Sequence, residues 1–140
     1  MPRISRSGPS LIMLAALLAI VAAGCNSPSQ PPAPGIEPEV VNNTDAFQLQ
    51  VTAVQNYTGM AEYLWNNTGT LANIDQSSTV SPGQAQLILL DANAVEVYSQ
   101  DLSVDGSYAS IAGASGDWRI RIVMTEMTGT LNFRAEKRTP

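Results

Sequence analysis

In DWRIRIVMTEMTGTLNFRAEK, Asp117 to Lys137, the large apolar residues Trp118, Ile120, Ile122 and Met124 fall on every second position, with Arg119, Arg121 and Val123 between them. A strand sends successive side chains to opposite faces, so a period of two predicts a half-buried β-strand with Trp118 inward. Gly129 then predicts a tight turn. The chain is expected to return through TLNFRAE with Leu131, Phe133 and Ala135 inward.

The same period runs upstream. AFQLQVTAV places Phe47, Leu49, Val51 and Ala53 on one face and Gln48, Gln50 and Thr52 on the other. GMAEYLWNN sets Ala61, Tyr63 and Trp65 against Met60, Glu62 and Leu64, as in a strand with apolar residues on both faces. TLANIDQSSTV reads as a weaker strand, and Ser81-Pro82-Gly83 as a turn. QLILLD is an apolar run of strand length, although its leucines also permit a helix. VEVYSQDL alternates Val95 and Val97 with Glu96 and Tyr98, and SYASIAG is a short strand of small residues. After residue 25 no stretch shows a capped 3.6-residue period. About eight short strands separated by Gly-bearing turns predict an all-β fold, a single antiparallel β-sandwich or jelly roll over residues 44–140. A domain of ~95 residues buries ~60–65% of its unfolded surface, enough for one core without disulfides.

Composition excludes several chemistries. The chain of 140 residues has no histidine and one cysteine, Cys25. A Ser–His–Asp triad, a Cys–His dyad, a thiolate metal cage and an intramolecular disulfide are therefore ruled out. Seven Lys and Arg against twelve Asp and Glu give a net charge of -5. Two of the basic residues, Arg3 and Arg6, sit at the extreme N-terminus; the rest of the chain carries -7. That balance disfavours nucleic acid and a polybasic membrane-surface mode. No cofactor is implied.

The first 25 residues read as an address. A basic segment with Arg3 and Arg6 precedes LIMLAALLAIVAA, Leu11 to Ala23, which contains no polar residue. Thirteen apolar residues fall short of the ~20 needed to span a bilayer but fit the apolar region of a secretory signal peptide. A buried core helix is the competing reading, and it would show polar residues on one face. Ala22-Ala23-Gly24-Cys25 resembles the lipobox of bacterial lipoproteins. The resemblance implies cleavage between Gly24 and Cys25, a diacylglyceryl group on the Cys25 thiol, and often acylation of the new amino terminus. Ala22 stands where the family usually has leucine. Two or three acyl chains, at ~0.8 kcal/mol per buried CH₂, hold a protein durably on a membrane. A free thiol or a disulfide-linked dimer would not explain why Cys25 follows an apolar run and Gly24. Asn26 in the next position implies an extracytoplasmic protein on the outer membrane, if the source has one.

Residues 25–43 form the expected tether. Pro28, Pro31, Pro32, Pro34 and Pro38 remove donors and favour extended, polyproline-like backbone outside any sheet. At ~3.1 Å per residue the segment reaches roughly 50 Å. The chain thus divides into a signal peptide at 1–24, an acylated cysteine with its linker at 25–43, and the sandwich at 44–140.

The pattern of the sandwich is similar to small secreted bacterial domains of the pre-peptidase C-terminal kind. Leu87, Leu89 and Asp91 match that family's Leu-x-Leu-x-Asp strand. Gly116, Trp118, Ile120 and Ile122 match its Gly-aromatic strand, and Gly129, Leu131 and Phe133 its last strand. The resemblance implies a non-catalytic accessory module. Ala92-Asn93-Ala94 replaces the family's glycine turn, and Gln84 and Gln86 replace its acids, departures that weigh against carrying over a calcium site.

Within the sandwich, Asp91, Asp101, Asp105 and Asp117 fall at turns. Two readings stand: a gathering of oxygen ligands around Ca²⁺, for which no D-x-D-x-D-G loop is present, and the simpler one that each aspartate bonds its own backbone. Glu62, Glu96 and Glu126 are candidates for the two placed carboxylates of a glycosidase-type site, with Glu126 on the inward parity of Trp118 to Met124. Tyr57, Tyr63, Trp65, Tyr98 and Tyr108 carry polar tips suited to a wet, sugar-stacking face, with core packing of Tyr63 and Trp65 the simpler alternative. Arg119, Arg121 and Arg134 lie on outward parity, where they form a local basic patch or pair across the sheet with acids such as Glu136. The candidate ligand face is accordingly Tyr57, Tyr98, Tyr108, Arg119 and Arg121. Two function classes follow: an anchored non-catalytic module for a protein or carbohydrate ligand, or a small hydrolase or lyase using paired carboxylates.

Overall fold

A computed structural model describes residues 37–140. Gly24, Cys25 and the signal peptide lie outside the described residues. Eight strands, all antiparallel, follow one another: β1 (Glu39–Asn43), β2 (Ala46–Asn67), β3 (Leu71–Gln76), β4 (Thr79–Val80), β5 (Gln84–Leu90), β6 (Glu96–Asp101), β7 (Gly106–Ala109) and β8 (Gly116–Arg138). QLILLD is strand β5, so the β reading holds over the helical one.

The architecture turns on β2 and β8, of 22 and 23 residues. At ~3.3 Å per residue such strands run ~70 Å, far longer than a domain of this size, so they must bend. The bend lies where their shared ladder slips, between Val51 and Gly59 on β2 and between Met124 and Gly129 on β8. Ala53, Asn56 and Glu126 adopt positive φ there, the signature of bulges. The bulges divide one continuous sheet into two layers. The first contains β1, residues 46–51 of β2, residues 129–138 of β8, β3 and β7, with β4 beside the bend. The second contains residues 59–67 of β2, residues 116–125 of β8, β5 and β6.

The layers close face to face. Phe47 of the first meets Tyr63 of the second at 5.5 Å between ring centroids and stacks on Phe133 at 5.9 Å. Trp65 and Trp118 pack edge to face at 5.8 Å, both fully buried. Trp118 Nε1 donates to the Ala114 carbonyl at 2.7 Å. Trp65 Nε1 is buried without a hydrogen-bond partner among the described residues. Gln76 of β3 bridges the layers: its amide donates to the carbonyls of Asp101 and Val104 and its oxygen accepts from Tyr98 Oη at 3.0 Å.

The all-β sandwich agrees with the sequence; several boundaries differ. Gly129 is not a turn, because β8 runs straight through it. It pairs with Val54 on one side and Val80 on the other, and a Cβ at its φ of 133° would collide with the Thr79 carbonyl oxygen. Likewise the two strands expected at 47–53 and 59–67 are one, while the stretch expected as a single strand near 71–80 splits into β3 and β4. Ala53 is exposed rather than inward, since the bulge hands its place to Val54. Glu126 loses its inward place in the same way to Met127, which is fully buried. Finally, residues 39–43, expected in the tether, form β1: Pro38 stops the pairing, and the five residues after it contain no proline.

Candidate functional site

The first layer presents a polar outer face whose composition follows from strand alternation. Phe47, Leu49, Leu131, Phe133 and Ile74 point inward, so Gln48, Gln50, Asn132, Arg134 and Asp75 point out. Register places these residues in rows. One row crosses five strands through Val41, Gln48, Arg134, Asp75 and Ser107. A second carries Asn43, Ala46, Glu136, Asn73 and Ala109, and a third Glu39, Gln50 and Asn132. With strands ~4.8 Å apart, a five-strand row spans roughly 19 Å.

An ion pair fixes the centre of the platform. Arg134 Nη2 lies 2.9 Å from Asp75 Oδ2 and Arg134 Nε 3.5 Å from Glu136. Ser107 Oγ donates to Asp75 Oδ1. The Ser107 hydroxyl first, and Arg134 second, hold the Asp75 carboxyl below its ordinary value. Around this pair a shallow depression of ≈ 350 Å³ is lined by Gln48, Asp75, Ser77, Ser107, Asn132 and Arg134 among others. Planar amides, a carboxylate and a guanidinium there offer paired donors and acceptors at fixed spacing.

The ligand face expected from sequence is not one surface. Tyr98 is buried, and burial raises its hydroxyl well above the ordinary tyrosine value. It follows Val97 into the core because the β5–β6 register slips at Leu89/Leu90, so both residues are inside. Tyr108 packs against it at 6.2 Å and donates to the Asp105 carbonyl at 3.2 Å. Tyr57 is half-buried at the bulges, its ring lying over Gly59. Arg119 and Arg121 do share a surface, the outer face of the second layer, where both reach Glu62, at 3.8 and 2.9 Å. Arg134 lies on the outer face of the first layer, so the three arginines form no common patch; its pairing with Glu136 matches the alternative reading. Tyr63 is half-buried against Phe47, and Trp65 belongs to the core as its alternation with Tyr63 suggests.

The acids separate as well. Glu62 and Glu96 stand on β2 and β6, three strand spacings or roughly 14 Å apart across the sheet and further displaced along the strands, since Glu62 aligns with Ser99. Glu126 is exposed at the bend, where its N–H donates to Thr58 Oγ1. Asp91 accepts from the nearby amides of Asn93 and Val95, and Asp101 from that of Ser103, as turn chemistry predicts; Asp91 also accepts from the distant Ala114 amide and Asp105 from that of Ser78. Asp117 instead accepts from the Asn66 side chain. Among the described residues no three Asp, Glu, Cys or His groups are gathered as a metal site.

Sequence reasoning singled out Arg134 but missed Gln48, Asn132 and Asp75 as its neighbours. The outward parity was readable; the pairing of β3 with β8, which brings Asp75 beside Arg134, was not.

No family model and no curated protein matches the chain. Among solved structures it is similar to one of accessory secretory proteins 1, 2 and 3 of Streptococcus pneumoniae. That match has 7% identity and a TM-score of 0.38, over 73% of this chain and 86% of that one. It is also similar to procruciferin, an 11S globulin of Brassica napus, with 16% identity and a TM-score of 0.34, over 93% of this chain and 34% of that one.

Proposed function

We propose that the protein is a bacterial envelope lipoprotein, held on the membrane through Cys25, whose sandwich is a non-catalytic binding module for carbohydrate. The platform of the first layer carries the reading. Its central row sets Gln48, Arg134, Asp75 and Ser107 side by side across neighbouring strands. Planar polar groups at strand spacing suit ligands that present hydroxyls in fixed geometry, each able to give and accept a hydrogen bond. A protein ligand is the weaker fit, since cores of protein interfaces are enriched in aromatic residues and methionine, which the three rows lack. The separation of Glu62, Glu96 and Glu126 gives a paired-carboxylate reaction no support.

The test is retention on a panel of immobilised envelope polysaccharides, followed by titration. We expect binding to at least one glycan, weakened about tenfold or more by Gln48→Ala with Asp75→Ala, the loss of one or two charge-assisted hydrogen bonds. The Arg119→Ala variant on the opposite face should bind as the parent does. No retention on any glycan, or equal loss with Arg119→Ala, contradicts the reading.

A further inference from the structure

The sandwich has four strand edges, and three are managed. The Val97 carbonyl at the outer edge of β6 accepts from the Ile111 N–H at 2.9 Å. Along residues 59–67 of β2, the Leu64 carbonyl accepts from Asn42 Nδ2 and the Asn66 carbonyl from the Asp45 N–H, both at 2.8 Å; bulges twist the other end away. Strand β7 is only four residues long. Capping, bulging and shortness are the devices that keep an edge from recruiting another strand.

Strand β1 has none of them. Its five residues, Glu39-Val40-Val41-Asn42-Asn43, are all exposed, bonded on one side to β2 and, among the described residues, open on the other. The interior of the strand contains no charge and no proline. Val41 is 53% exposed on the outer face, and Val40 36%.

We propose that β1 pairs antiparallel with β1 of a second copy, about a two-fold axis at Val41. The segment is self-complementary in that register. Val41 faces its own symmetry mate, Val40 faces Asn42, and Glu39 faces Asn43, so the only charged residue meets a neutral amide and no like charges oppose. Pairing satisfies the open backbone groups of both strands and covers both Val41 side chains. An axis perpendicular to the sheet turns the two outer faces the same way. The row from Val41 to Ser107 then continues into its mate, which doubles the platform. The chains preceding Glu39 leave at opposite ends of the paired strands, roughly 15 Å apart, close enough for two leads to reach one surface. The pairing itself needs neither the Cys25 anchor nor the carbohydrate. Its area falls below the ~1,200 Å² of stable complexes, so the dimer is concentration-dependent in solution and favoured when chains are confined together.

Disulfide trapping of the full-length chain in mild detergent, with Cys25→Ser as background, tests this. Directly opposed residues of an antiparallel pair have Cα atoms ~4.5–5.5 Å apart, within disulfide range. Val41→Cys should form a covalent dimer under mild oxidation many-fold faster than Glu39→Cys, whose counterpart in the pair is Asn43. Val104→Cys, at a position of similar exposure (48%) on the β6–β7 turn, should stay monomeric. A monomeric Val41→Cys chain overturns the pairing, as does cross-linking no faster than Glu39→Cys or Val104→Cys.

Discussion

Asp91 shows how one side chain organises a loop. Its carboxylate gathers the amides of Asn93 and Val95 from the β5–β6 turn, and of Ala114 from the segment before β8. Those bonds, Ala114 first and then Val95, hold its carboxyl below the ordinary aspartate value of 3.8. Asp75 and Asp45 are lowered too, the latter chiefly by Lys137 at 2.5 Å. A carboxyl with a lowered folded-state pKa stabilises the fold fully above its unfolded value, and that stabilisation disappears as pH falls through the folded value. Thermal melting should therefore give a midpoint that holds level from neutral pH down to about 5 and drops below about 4. Asp91→Ala should lower the midpoint at pH 7 more than Asp101→Ala, because it strands three amides rather than one; equal midpoints would contradict the role given to Asp91. The turn chemistry of Asp91 and Asp101 is legible in the sequence, since each is followed within two residues by the small or polar residues of a turn. The convergence of Ala114 on Asp91 is not, because it spans 23 residues of intervening chain.

At the scale of the element, β8 was legible face by face but not as one strand. The period of two gives Trp118 to Met124 and Leu131 to Ala135 their inward faces, and both are buried. Between them the buried residues Met124 and Met127 are three apart, as are Val51 and Val54 on β2. That single extra residue is the sequence mark of a bulge, and a glycine beside it reads as readily as a turn. Structure separates the two through what lies across from Gly129: Val54 in one neighbouring strand and Val80 in the other, with the Thr79 carbonyl too close for any side chain. Gly129→Ala should cost at least about 1–3 kcal/mol in urea unfolding, from the φ alone, while leaving the β-rich circular dichroism spectrum intact. A variant as stable as the parent would return Gly129 to an ordinary exposed turn. Strand β1 was hidden for a different reason: no apolar face marks it, and it exists only because β2 offers an edge beyond Pro38.

At the scale of the whole molecule, a core of Trp65, Trp118, Phe47 and Phe133 holds two layers around one bent ribbon. The first layer's outer face supplies the proposed binding surface and β1 the proposed contact with a second copy. The proposed place of work rests on Cys25, whose neighbours carry the reading: an apolar run and Gly24 before it, prolines after it. The absence of histidine and of a second cysteine excludes a Cys–His dyad, a thiolate metal cage and an intramolecular disulfide for that thiol. Metabolic labelling with palmitate, followed by membrane fractionation, tests the account most directly. The parent chain should incorporate label and sediment with membranes, and Cys25→Ala should lose both. A Cys25→Ala chain that still carries label and still sediments with membranes would contradict the account.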